Sequence, residues 1–158
     1  MIRLILTLTV FLLQLVCMQG ASAADNNVSV ALHAFKVVTS AAGTKLVPTD
    51  AAQPGDTIEY QVTYSNKGAA PAKDVLATLP VPKGGLAYVA DSATPAAVQA
   101  SVDGTTFAPL PLTRTVTRDG KQVTESVPVS EYRFLRWKLG DIKPGASTTV
   151  SSRMRLGA

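Results

Sequence analysis

The chain has 158 residues, a formal net charge of +4, one cysteine and one histidine. A single cysteine excludes an intramolecular disulfide, and the modest positive charge gives no case for a nucleic-acid partner. The charge is uneven along the chain: residues 24–111 carry five basic against seven acidic side chains, whereas residues 112–158 carry nine against four. The second half is therefore the basic part of the molecule.

Residues 1–23 have the features of a cleaved secretory signal peptide. Arg3 precedes an apolar run over residues 4–18, and small residues occupy 21–23, where a signal peptidase would cut. A retained membrane anchor is an alternative, but the run is shorter than the roughly 20 residues that span a bilayer. A lipid attached to Cys17 is another, although that cysteine follows a valine rather than a small residue. We expect an exported protein, periplasmic or extracellular.

Removal of the signal peptide leaves residues 24–158 as a single domain. This length suffices to bury about two thirds of the unfolded surface without a disulfide. The mature chain contains no cysteine and keeps 14 basic and 11 acidic residues. Its stability must therefore come from packing.

Short alternating segments separated by Gly, Pro and Asp-Gly turns predict strands along the whole mature chain, and no window has helical period. The first strand, residues 28–38, changes its alternation near Ala34, which predicts a bulge there. Asp103-Gly104 and Asp119-Gly120 each predict a tight hairpin turn. The other predicted strands are residues 45–47, 57–66, 72–79, 86–89, 98–102, 105–107, 112–117, 122–127, 132–139 and 147–156.

The strand at residues 57–66 has the clearest pattern. It follows the turn Pro54-Gly55-Asp56, in which we expect the Asp56 carboxylate to hold the turn backbone, and it ends at Asn66-Lys67-Gly68. Tyr60, Val62 and Tyr64 alternate along one face, and Trp137 alternates in the same way in a later strand. We predict that these two faces meet across a core between two sheets.

The fold class predicted from these elements is all-β, an immunoglobulin-like β-sandwich of seven to nine strands in two sheets. Many short strands with frequent turns over one domain are typical of that architecture. An open barrel is the alternative.

The turn and strand motifs resemble the domain-of-unknown-function-11 repeat, and the likeness covers nearly all of the mature chain. The motifs that carry the resemblance, in order, are Pro54-Gly55-Asp56-Thr57, Asn66-Lys67-Gly68, Pro71-Ala72, Leu79-Pro80, Gly85-Leu86-Ala87-Tyr88-Val89, Trp137-Lys138-Leu139-Gly140 and Pro144-Gly145. Members of that family are mostly bacterial surface or exported proteins with several copies. This chain has one Pro-Gly-Asp-Thr segment, which indicates a standalone module.

The sequence contains few candidates for catalytic residues or metal ligands. His33 lies in a predicted strand with no cysteine to partner it, and no serine stands in a nucleophile elbow. The eight aspartates are scattered singly rather than at the spacing of a calcium loop. We expect no enzymatic activity, no cofactor and no metal.

One surface is a candidate for binding. If Leu135 and Trp137 point into the core, alternation places Tyr132, Phe134, Arg136 and Lys138 outside, and the last strand likewise exposes Arg153 and Arg155. If the two strands pair, these six side chains form one aromatic and basic face. The alternative is a solvated face whose arginines protect a sheet edge from aggregation.

Two functions follow as hypotheses. The first is a non-catalytic module that serves as a structural or protein-interaction component of the bacterial cell envelope. The second is a binding domain for an anionic envelope glycan or lipid headgroup on the six-residue face. A further hypothesis is that residues 28–38, which precede a long connection, complete the sheet of a neighbouring copy, so monomer and strand-exchanged oligomer both stay open.

Overall fold

The computed structural model describes residues 27–157, so the predicted signal peptide lies outside the described part. The described chain is almost entirely β-structure, with one 3₁₀ turn at Val129–Glu131. No helix among these residues is long and apolar enough to cross a membrane. The strands are β1 (Val28–Ser40), β2 (Gly43–Pro48), β3 (Thr57–Asn66), β4 (Ala72–Pro80), β5 (Leu86–Tyr88), β6 (Gln99–Ser101), β7 (Ala108–Pro109), β8 (Thr113–Arg118), β9 (Lys121–Ser126), β10 (Phe134–Ile142) and β11 (Ser147–Leu156).

The strands form two sheets that pack face to face, together with a separate hairpin. Sheet A has the order β2-β1-β3-β11-β5, and sheet B has the order β4-β10-β6-β7. Strands β8 and β9 pair only with each other and form an arm. This arrangement confirms the predicted all-β sandwich. The strand number is higher than predicted because short edge pieces and the arm add to the two main sheets.

The core lies between β3 and β11 of sheet A and β4 and β10 of sheet B. Trp137 is 1% exposed and its indole N–H donates to the Pro95 carbonyl at 2.9 Å. Val62 and Tyr64 are buried opposite it, and Tyr60 is half-buried against the same cluster. The predicted contact between these two faces is therefore confirmed. Packing of this kind supplies the stability that a chain without disulfides requires.

Turn chemistry accounts for most of the connections. Gly55 has a φ of 88° behind Pro54, and the carboxylate of Asp56 accepts the N–H of Gln53 at 2.9 Å, as predicted. Asp119-Gly120 forms the predicted tight turn: both residues have positive φ, and their neighbours Arg118 and Lys121 pair. These conformations suit glycine and aspartate because most side chains disfavour positive φ.

The hairpin predicted at Asp103-Gly104 is wrong in its geometry. Gln99 pairs with Pro109 and Ala100 with Ala108, so residues 102–107 form a longer loop rather than a two-residue turn. The carboxylate of Asp103 accepts the N–H groups of Thr105 and Thr106 at 2.8 Å each, which stabilises that loop from within.

The bulge predicted in the first strand is wrong, whereas the short strand predicted after it is confirmed. Strand β1 pairs with β3 in unbroken register from Val28 opposite Asn66 to Lys36 opposite Ile58, so no bulge occurs at Ala34. The strand predicted at residues 45–47 lies in β2, which turns back directly after β1 and pairs with it. In this single chain β1 pairs within its own sheet, and strand exchange between copies stays a hypothesis.

Candidate interaction surfaces

The six residues predicted to form one face lie on different surfaces. Strand β10 belongs to sheet B and β11 to sheet A, so the two strands face each other across the core and do not pair. Arg136 and Lys138 therefore project from the outer side of sheet B, whereas Arg153 and Arg155 project from the outer side of sheet A. The prediction of a single aromatic and basic face is wrong.

Tyr132 was predicted to point outward but lies in the core, 1% exposed. Its hydroxyl accepts the backbone N–H of Leu112 at 2.9 Å, and its ring stacks near that of Tyr88 with 6.2 Å between centroids. The reason is that β10 begins only at Phe134. Residue 132 follows a 3₁₀ turn, so the strand alternation counted back from Trp137 does not extend to it.

Phe134 does lie on the outer side of sheet B, where the loop at residues 102–107 partly covers it. Gly104 passes so close to the ring that a Cβ there would lie 2.8 Å from the Phe134 Cε2 atom. Its φ of 81° also disfavours any side chain. The phenyl ring therefore packs against the loop, and only part of it is available for contact with a ligand.

Arg136 is held between two elements of the same surface. Its guanidinium carbon lies 3.4 Å from the centroid of the Phe107 ring, and its Nε donates to the Thr78 hydroxyl at 3.1 Å. A guanidinium over an aromatic face is a favourable cation–π arrangement. Strand alternation carries no signal for Phe107 at this place, because only the loop at residues 102–107 brings it back over β10.

A groove runs beside this pair and holds both basic residues of β10. Its volume is about 420 Å³ and its wall is mainly apolar, with Arg136 and exposed Lys138 supplying the charge. The remaining lining residues are Ala96, Ala97, Val98, Gln99, Pro109 and Leu110. Two cations beside a small apolar wall suit an anionic group attached to an apolar or sugar body.

The arginines of β11 have a different setting. Arg153 Nε lies 2.9 Å from the Glu59 carboxylate, which is 8% exposed and also accepts a hydrogen bond from Gln61. The charge of Arg153 is therefore largely neutralised by Glu59 on the neighbouring strand of sheet A. Arg155 is exposed on the same side. These two residues form no common site with the groove on sheet B.

A second surface arises because sheet A is wider than the part of sheet B that covers it. Strand β4, the edge of sheet B, lies across from β3, so the core-facing side of β1 and β2 extends beyond it. Four apolar side chains on that side are exposed, and we call them the open stripe. They are Val30 (57%), Leu32 (57%), Val38 (41%) and Val47 (39%).

The open stripe shares its side of the sheet with the core. Val30 pairs with Tyr64 and Leu32 with Val62, and cross-strand partners project to the same side. Residues 49–52 line a small cavity with Ala34, and they separate Val30 and Leu32 from Val38 and Val47 on this side. Sequence alternation identifies Val30 and Leu32 as strand residues, but it carries no signal that the second sheet stops short of them.

The residues considered for catalysis do not assemble into a site. His33 is exposed on the outer side of sheet A, and its ring centroid lies 6.4 Å from that of Phe35. Within residues 27–157, no group of three or more His, Cys, Asp or Glu side chains is placed to hold a metal ion. Two candidate interaction surfaces of the described chain are the open stripe and the groove on sheet B.

Comparison with known proteins gives no relative: no family model, no curated protein and no solved structure matches this chain.

Proposed function

We propose that the mature chain is a non-catalytic, exported β-sandwich module that acts as a protein-interaction component of the bacterial cell envelope. The observation that carries this proposal is the open stripe. Exposed apolar side chains that cluster on one face mark interaction surfaces more often than scattered ones. Four of the eight large apolar side chains that are exposed in the described chain lie in this stripe.

Two features of the sequence support the exported setting. Residues 1–23 combine a basic start, an apolar run and small residues at a cleavage site. The ordered set of turn motifs from Pro54 to Gly145 resembles the domain-of-unknown-function-11 repeat, whose members are mostly exported or surface proteins. We therefore propose a standalone member of that family, located in the periplasm or outside the cell.

Site-specific photocrosslinking in the native envelope tests the interaction. A benzophenone amino acid replaces Leu32 in the open stripe, and a matched variant carries it at Ala31, the exposed neighbour on the opposite side of the same strand. We expect a discrete crosslinked protein from position 32 and none from position 31. Equal crosslinking from both positions, or none from either, contradicts the proposal. Amino-terminal sequencing of this chain after purification from the envelope tests cleavage after residue 23.

The groove on sheet B favours a second candidate function, binding of an anionic envelope glycan or lipid headgroup. Arg136 is fixed by its contacts with Phe107 and Thr78, so its guanidinium loses little freedom when a ligand binds. Lys138 adds a second cation on the same groove. This site differs from the predicted six-residue face, because Arg153 and Arg155 project from the other sheet.

The second candidate is tested with two probes, a uronic-acid polysaccharide and vesicles that contain phosphatidylglycerol. Replacing Arg136 and Lys138 by serine should weaken binding about tenfold or more, because a hydrogen bond to a charged group contributes about 1.5–3 kcal/mol. The control replaces Lys143 and Arg155 by serine, which removes the same charge away from the groove and leaves the Arg153–Glu59 pair intact. If the control weakens binding equally, the attraction is only a net-charge effect and the site is wrong.

A further inference from the structure

The edges of the two sheets differ in how well they are protected from added strands. A free sheet edge presents unpaired backbone N–H and C=O groups, and proteins blunt such edges with short strands, prolines and charges. Strand β5 has three residues, β7 has two and contains Pro109, and β2 contains Lys45 and ends at Pro48. These three edges carry the usual protection, whereas residues 28–33 of β1 extend beyond the pairing with β2 and form a further uncharged edge.

Strand β4 is longer than these three and, although it ends at Pro80, has a regular stretch without charged side chains. It has nine residues, and within residues 27–157 it pairs with β10 alone, so its other edge has no partner strand. Its only charged residues, Lys73 and Asp74, lie at its beginning, before a β-bulge in the pairing with β10. From Leu76 to Pro80 the register with β10 is regular, and no charged side chain interrupts it. This stretch is a regular edge that another strand can extend.

Apolar side chains lie on both sides of that edge. The open stripe lies on the core-facing side, where sheet A extends past β4. Leu76 projects to the outer side of sheet B and is 51% exposed. A strand added to β4 would therefore place every second side chain over Val30 and Leu32, and would place at least one of the others beside Leu76.

The size of the stripe argues for a single strand rather than a second copy of this chain docked face to face. Four side chains that are about half exposed present on the order of 200 Å² of apolar surface. A stable interface between two folded proteins buries roughly 800 Å² on each partner. An extended strand does not need that area, because its main chain also pairs with the sheet edge.

We propose that β4 is an acceptor edge for an extended strand of another envelope protein, with apolar side chains at alternate positions that cover Val30 and Leu32. The inference rests on the proposed interaction function and specifies the partner class and binding mode. The added strand would widen sheet B across from β1 and complete the cover of the core.

A model peptide tests this binding mode. The probe is a short soluble peptide of alternating valine and threonine with a lysine at each end. Amide hydrogen exchange with and without peptide reports on β4, where alternate backbone amides point away from β10. We expect slower exchange at those amides. Leu32→Ser should weaken binding about tenfold, because it removes a side chain that the peptide buries. Ala31→Ser, on the opposite side of β1, should leave binding unchanged.

A second peptide separates strand addition from hydrophobic adsorption. It has the same side chains but carries N-methyl groups on the amides that would face β4, so it keeps the apolar contacts and loses the backbone donors. We expect this peptide not to protect β4. Equal binding of both peptides, protection at residues 28–33 of β1, at β2 or at the β8–β9 arm instead of β4, or no binding at all overturns the proposal.

Light scattering at high protein concentration tests whether a second copy of this chain occupies the β4 edge. A dimer whose formation protects the β4 amides would show that a second copy takes the edge, which also overturns the proposal. Crosslinking from position 32 in the envelope without any protection of β4 by peptides would leave the interaction function intact and reject strand addition alone.

Discussion

The side-chain amide of Asn66, at the end of β3, donates to the carbonyl of Ile142, at the end of β10, at 2.8 Å. The bond joins the two sheets, because β3 lies in sheet A and β10 in sheet B. The same amide group also donates to Ala70 at 2.8 Å, and its oxygen accepts the N–H of Gly68 at 2.9 Å. Asn66 is 3% exposed, so these three hydrogen bonds take the place of those that its side chain would make with water in the unfolded chain.

Replacing Asn66 by alanine should destabilise the protein by about 3 kcal/mol, since it leaves two carbonyls and one N–H with poorer partners in a buried place. Urea unfolding followed by tryptophan fluorescence measures the change. The control is Ser147→Ala on an exposed part of β11, which should change stability by less than about 0.5 kcal/mol. Equal effects of the two variants would contradict the role of Asn66 as a link between the sheets.

Two buried serines should respond to the same substitution in opposite directions. The hydroxyl of Ser152 has no hydrogen-bond partner among the described residues and is fully buried. Ser152→Ala should therefore stabilise the protein by about 1 kcal/mol, because it removes an unsatisfied polar group. Ser101 is equally buried, but its hydroxyl donates to Asp103 and accepts the N–H of Gly104, both at 2.8 Å.

Ser101→Ala should consequently destabilise the protein by about 1–2 kcal/mol, since two partners lose a hydrogen bond. Thermal and urea unfolding of the two alanine variants, compared with wild type, measures both changes. A loss of stability in Ser152→Ala would indicate that the packing of the hydroxyl outweighs its desolvation.

The loop at residues 102–107 should weaken in acid. The N–H of Thr106, then the N–H of Thr105 and the hydroxyl of Ser101, hold the pKa of Asp103 well below its ordinary value of 3.8. A carboxyl whose folded pKa is depressed stabilises the fold above its unfolded pKa and loses that contribution as the pH falls through the folded pKa. The contribution of Asp103 should therefore begin to decline below about pH 4 and continue to decline toward lower pH.

Comparison with Asp103→Asn isolates this group from Asp56, Glu125 and Asp141, whose pKa values are also lowered by basic partners. The stability difference between wild type and variant should be largest at neutral pH and should shrink as the pH drops below 4, because only wild type gains a proton at this site. Urea midpoints across this pH range measure it. A difference that stays constant with pH would contradict the assignment.

Tyr132→Phe should loosen the base of the β8–β9 arm. The lost hydroxyl leaves the buried N–H of Leu112 without its acceptor, at a cost of about 1–3 kcal/mol. The effect should be local as well as global: the Leu112 amide should exchange faster with solvent, whereas the amides of β3 should change only with overall stability. Unchanged exchange at Leu112 would contradict the role of this hydroxyl.

The sequence predicted local structure well where one or two residues decide it. Asp119-Gly120 specifies its turn because both positions need positive φ, which aspartate and glycine tolerate. The strand from Thr57 to Asn66 and the burial of Trp137 follow from alternation that has one apolar side. The all-β class follows from the repetition of such segments. These features depend on neighbours within a few positions of the chain.

The candidate surfaces depended on contacts between distant residues, which the alternation pattern does not contain. Period-two alternation gives each strand two sides, but it specifies neither the neighbouring strand nor the cover above each side. The placement of β10 and β11 in opposite sheets separated Arg136 from Arg153. The return of Phe107 onto Arg136 and the exposure of Leu32 depend on where a loop folds back and where a sheet ends. Local sequence thus determined the strands and their turns, whereas only the packing of the two sheets decided which side chains stay exposed.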